Sequence, residues 1–205
     1  MMSLFKKKYV LFSILGVLVI SIATIGIVNN QSKPDQTVYN VVNLPANSIT
    51  FSEVEKLHEF AELIVIGYAE EEFNDREHVI TAFDDGAMQS FHTNTNIKIK
   101  QILKKPEDFL ADQKKLTIIE PVSLKEDVKY TVNQYVELQK SEPSVLFLMR
   151  NTYGDYGLIN DNLGKFSLEG LSQSSLPETA TAQELSEYAA FRDSVMKKYN
   201  LGQDS

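Results

Sequence analysis

The sequence contains no cysteine and no tryptophan, and only nine glycines and six prolines in 205 residues. Without cysteine there is no disulfide scaffold, no thiolate zinc site, no cysteine nucleophile and no lipidated cysteine anchor. Positive charge is also scarce: 20 basic residues face 28 acidic ones, a formal net charge of -8. That balance argues against nucleic acid as a partner, because nucleic-acid binders carry a basic face. Only three histidines occur, His58, His78 and His92, with no HExxH and no pair at i,i+4. A zinc site is therefore not expected, and no cofactor is implied. No G-x-S-x-G or Walker pattern is present, so the chain reads as a non-enzyme. What is present is 43% hydrophobic and 10% aromatic residues, enough for a folded core.

The N-terminus differs from the rest. Lys6, Lys7 and Lys8 precede a run from Tyr9 to Val28 that carries no charge. At about 1.5 Å per residue such a helix spans about 30 Å, the thickness of a bilayer core. The reading is one transmembrane helix within residues 1–30, with the lysines cytoplasmic and the remainder extracytoplasmic. A cleaved signal peptide and a secreted product form the alternative. The apolar run is longer than the 7–15 residues usual in a signal peptide, and the exit Ala23-Thr24-Ile25-Gly26-Ile27-Val28 lacks Ala-x-Ala. The first thirty residues hold three basic and no acidic residues, so residues 31–205 carry 17 basic against 28 acidic, or -11. An exported domain without cysteine fits a Gram-positive envelope.

Residues 31–50, polar and with Pro34 and Pro45, read as a linker, and residues 51–205 as the domain. Ser52 and Glu55 form a capping-box signature for a helix from Ser52 to Ala61. Short branched runs predict strands at Leu63–Tyr68, His78–Ala82, Lys115–Glu120 and Val145–Met149. Asp84-Asp85-Gly86 predicts a turn. Phe91, Thr93, Thr95, Ile97 and Ile99 alternate with His92, Asn94, Asn96, Lys98 and Lys100, the signature of a strand with one wet face. Two shorter strands are expected around Tyr156–Ile159 and Lys165–Leu168, and Gly170–Pro177 reads as a connector. Thr181 and Glu184 form a second capping box. It opens an amphipathic helix whose stripe is Leu185, Tyr188, Ala189, Val195, Met196 and Tyr199. The class is α+β, mainly β: a small antiparallel barrel between an N-terminal and a C-terminal helix.

The strings "AELIVIGYAEEE", "IKIKQILKK", "KKLTIIEP", "SEPSVLFLMR" and "YGLINDNLGKFSL" carry a resemblance. Over about Ser52–Leu168 the chain resembles exported bacterial proteins of unassigned activity. Their domain is similar to an oligonucleotide/oligosaccharide-binding (OB) barrel of the netrin-module and metalloproteinase-inhibitor type. Ala61, Leu63, Ile64, Val65 and Gly67 match the first motif, Ile102, Leu103 and Lys104 the second, and Val145–Leu148 the third. Glu62 stands where that pattern has Asp, and Lys105 where it has Gly. The resemblance implies an OB-like barrel and an exported address. The inhibitor branch acts through an N-terminal cysteine, which this chain lacks.

Three clusters remain. Glu70-Glu71-Glu72 with Asp75 reads as a solvated loop rather than a calcium site. Asp155, Asn160, Asp161 and Asn162 read as turn formers. In Tyr153-Gly154-Asp155-Tyr156-Gly157, Tyr153, Asp155 and Tyr156 are the candidate contact residues, because tyrosine supplies area and a hydroxyl at low entropy. The same tyrosines equally suit a hairpin covering the edge of the core. The expected role is a non-enzymatic, membrane-anchored module that contacts an envelope protein or polymer. An exported hydrolase and a released inhibitor or immunity-type protein are the alternatives.

Overall fold

The computed structural model describes residues 39–171 and 175–202. The charge-free run at 9–28 lies outside the described residues. Among the described residues no helix is long and apolar enough to cross a membrane.

Five strands close into a ring: β2 (Leu63–Ala69), β4 (Met88–Lys104), β5 (Lys115–Glu120), β9 (Tyr156–Leu158) and β8 (Ser144–Arg150). The closure runs β2–β4–β5–β9–β8 and back to β2. The expected antiparallel pairing is corrected at one joint, where β5 and β9 are parallel through Ile118↔Tyr156 and Ile119↔Gly157. Turn-length connections impose antiparallel pairing only on consecutive strands. β5 and β9 are separated by β6 (Val122–Lys125), β7 (Val128–Val132) and β8, so their directions are set by closure. β3 (Glu77–Ala82) pairs with the first half of β4 across the expected turn, where Gly86 has φ +84° and Phe83 N–H bonds the Ala87 carbonyl at 2.8 Å.

Layering explains the hydrophobic patterns. Leu63, Val65, Leu146 and Leu148 point into the barrel with Ile97, Ile99 and Ile118. Ile64, Ile66, Val145 and Phe147 point outward, under the helices. β2 and β8 are covered on both faces and read as unbroken apolar runs. β4 is wet outside and alternates. The covering layer is α1 (Val54–Phe60), α2 (Ala182–Lys198) and β10 (Lys165–Ser167), which pairs with β8. α2 buries Tyr188, Phe191, Val195 and Met196. Phe191 lies outside the expected stripe, and Leu185, inside it, is 46% exposed. Tyr188 and Arg192 hydrogen-bond the Lys165 and Ser167 carbonyls of β10 at 3.0 and 2.9 Å, closing an edge that would otherwise accept another strand.

Two local expectations fail. The capping box at Ser52 does not form: α1 has Glu53 at its N-cap, without a side-chain cap bond. The box at Thr181 and Glu184 does form. Within the stretch read as a linker, Asn40–Leu44 is a strand, β1, parallel to β7 in a separate sheet of order β1-β7-β6. A parallel partner 88 positions away leaves no turn signal in the sequence. Beyond β1 the chain is strapped down: Asn133 Oδ1 accepts from Ala46 N–H at 2.9 Å, and Asn160 Oδ1 accepts from Phe51 N–H at 2.7 Å.

Candidate functional site

The barrel interior is apolar in the middle and ionic at both ends. Glu120 ends β5 and Arg150 ends β8. These strands run oppositely, so the two residues lie at opposite mouths. At the first mouth Arg76 and Glu120 form a fully buried pair at 2.9 Å. Glu120 also accepts from Tyr135 O–H at 2.7 Å, from Leu138 N–H at 2.8 Å and from Thr95 O–H. Arg76 donates to the carbonyls of Glu71 and Leu138. Two buried charges are tolerated here because nearly every lone pair and proton is met. Burial and the Glu120 carboxylate push the Tyr135 phenol well up, so it remains a donor. This mouth is sealed and structural.

The other mouth opens into a cleft of about 300 Å³, lined in part by Asp108, Phe109, Leu116, Arg150, Asp155 and Tyr156. Arg150 donates to Glu62 at 2.9 Å and to Asp108 at 2.5 Å. The Arg150 hydrogen bond holds the Asp108 carboxyl below its ordinary range. The guanidinium lies 5.6 Å from the centre of the Tyr156 ring, and Phe109 meets that ring edge-on at 6.1 Å. The Tyr156 hydroxyl is buried and makes no hydrogen bond, an unmet donor of the kind usually paired.

The cleft wall at 151–155 is preorganised. Asn151 Oδ1 accepts from Tyr153 N–H at 2.8 Å and Asp155 N–H at 3.0 Å, and Gly154 takes φ +95°. The two readings of the tyrosine loop therefore divide. Tyr156 covers the core, at 7% exposure, while Tyr153 stands out at 90%. Asp155 lines the cleft and also accepts from Asn151 Nδ2 at 3.2 Å. Leu110, beside Phe109, is 66% exposed. Arg150 and Asp108 were missing from the sequence-based candidates. They lie 42 residues apart, and only barrel closure brings them together.

The remaining clusters are occupied by the fold. Asn162 accepts from Val136 N–H at 2.9 Å, and Asp161 accepts from Asn133 Nδ2 at 3.1 Å. These side chains staple the 133–136 loop and the 45–51 strap. Glu70 pairs with Lys115 and Glu72 with Lys140. A buried lysine, Lys165, faces Ser144, Ser167 and Ser175 around a cavity of about 10 Å³. Burial lowers its pKa to about 8, and the cavity has room for about one water.

The sequence matches no protein-family model, and no curated protein is found as a relative.

Proposed function

We propose that this chain is a non-enzymatic, membrane-anchored extracytoplasmic interaction module of the bacterial envelope, and that it engages its partner through the Arg150–Tyr156 cleft. The cleft carries the reading. It is an open concavity lined by the Arg150–Asp108 pair, Phe109 and Tyr156, and Tyr153 stands exposed beside its lining residue Gly154, on a turn held by Asn151. Aromatic and arginine side chains around a concave site are the composition of binding hot spots. The membrane address is supported by the charge-free run at 9–28 and its lysine flank. The barrel is read as OB-like on its pairing order and its single parallel joint.

The test uses the full-length chain in cells with a photo-crosslinking residue at position 153. The expected result is fractionation with the membrane, digestion of the domain by protease added outside, and a discrete crosslinked product from position 153. Recovery from the cytosol with an intact N-terminus removes the address. Absence of any crosslink removes the site. Catalytic turnover abolished by changing one carboxylate or serine removes the non-enzymatic role.

A further inference from the structure

We infer a second contact surface, on the outer wall of the barrel, that holds a linear phosphate polymer. The charge of the domain is strongly polarised. Residues 98–115 contain six lysines (98, 100, 104, 105, 114 and 115) against three carboxylates. The rest of residues 31–205 holds 11 basic and 25 acidic residues. Two of the six lysines serve the fold: Lys104 donates to the carbonyls of His58, Glu59 and Ala61 at the end of α1, and Lys105 donates to that of Phe109. The other four are exposed.

A wet strand face requires polar residues at these positions but not like charges placed side by side. Lys98 and Lys100 share the outer face of β4, about 7 Å apart. Lys98 stands directly opposite Lys115 on β5, and like charges across a strand pair destabilise it. Glu70 relieves Lys115 at 2.9 Å. Among the described residues, Lys98, Lys100 and Lys114 have no carboxylate partner. Lys114 adjoins the same wall, its carbonyl accepting from Ile99 N–H at 2.8 Å. The Lys100 ammonium lies 5.4 Å from the centre of the Tyr68 ring. The result is a narrow cationic stripe across β4 and β5 with one aromatic beside it.

The stripe fits a linear polyanion better than a protein or a bilayer. Protein interfaces are depleted of lysine at their centre, and Tyr68 is the stripe's one flanking aromatic. An anionic bilayer presents a plane and repels the acidic remainder of the domain. A phosphate chain one unit wide meets the lysines and avoids the rest. This names a partner chemistry for the binding role proposed above and takes its envelope address from that reading. Lys98 and Lys100 do not line the cleft, whereas Lys114 and Lys115 adjoin its residues Gln113 and Leu116, so variants at 98 and 100 set against one at 153 separate the two sites.

The full-length protein in phosphatidylcholine nanodiscs is titrated with long-chain inorganic polyphosphate. Three or four phosphate contacts predict that affinity falls about twentyfold to fiftyfold between 50 and 200 mM salt. Lys98→Glu/Lys100→Glu is expected to weaken binding at least tenfold with unchanged thermal unfolding. A charge-matched control at exposed lysines away from the stripe, Lys125→Glu/Lys197→Glu, and the cleft variant Tyr153→Ala are expected to bind as wild type. Lys98→Gln/Lys100→Gln serves if the reversal variant misfolds. The proposal is overturned by four results: no binding of polyphosphate, equal losses from the stripe and control variants, tighter binding to single-stranded DNA than to polyphosphate, or tighter binding to phosphatidylglycerol vesicles than to the polymer. Loss of the crosslink from position 153 with polyphosphate binding intact removes the cleft reading and leaves the stripe.

Discussion

At the residue scale, the Arg76–Glu120 pair governs the sealed mouth. Both side chains are inaccessible to solvent. Glu120→Gln leaves a buried cation without its counter-charge, and such a break costs about 3–5 kcal/mol. Chemical denaturation is expected to show that loss, with much of it recovered in Arg76→Met/Glu120→Gln, where the orphan charge is gone. Histidines set the acid limit. His78 Nε2–H donates to the Phe73 carbonyl at 3.0 Å, and its Nδ1 accepts from Leu124 N–H at 3.2 Å. Nδ1 also faces Thr93 Oγ1 at 2.9 Å, whose own hydrogen goes to the Val122 carbonyl, so a second ring proton exchanges the Leu124 N–H bond for one to that oxygen. Burial lowers the His78 pKa below 6.5, and burial with Lys198 nearby does the same for His58, which bonds Tyr199. Below pH 6.5 the unfolded chain therefore binds more protons than the fold. The histidine contribution is complete above 6.5 and is lost as the pH drops from there through the depressed folded values. Unfolding midpoints measured from pH 7.5 to 5 are expected to decline, with a shallower decline in His78→Gln.

At the scale of elements, the bend of β2 rests on one residue. Register shifts flank this stretch, between Ile64 and Val65 and between Ile66 and Gly67. A Cβ on Gly67 stands 2.7 Å from Ile97 Cγ2 and 3.0 Å from the Lys98 carbonyl oxygen. Gly67→Ala therefore overpacks the barrel wall, and a loss of about 1–3 kcal/mol is expected in denaturant unfolding. The two capping boxes show what an element's sequence can and cannot announce. Thr181 and Glu184 share one turn with nothing competing for it, so the local signal is realised. At Ser52 the chain is still tied to Asn160 through Phe51, and the helix starts later.

At the scale of the molecule, protection is expected to follow layering. β2 and β8 are covered on both faces, whereas β1 is exposed at all five positions and pairs with one neighbour. Hydrogen exchange is expected to be slowest in β2 and β8 and fastest in β1, with Asn40–Leu44 opening before the barrel does. Slow exchange in β1 shows that the strap belongs to the cooperative core.

The residues alone determined the mainly β class, the two helices, the wet face of β4 and the doubly covered runs of β2 and β8. Those features are written in period and run length, which are local. The turn that carries Tyr153, Asp155 and Tyr156 was also legible, because glycine and Asx residues mark turns wherever they fall. The tertiary structure decided which tyrosine faces solvent. It also paired Arg150 with Asp108 and Glu62, spent the Asx cluster on staples, and placed β1 beside β7. Each of these depends on which distant segments meet when the ring closes. Closure is set by the summed burial of the whole barrel, which no local pattern of residues encodes.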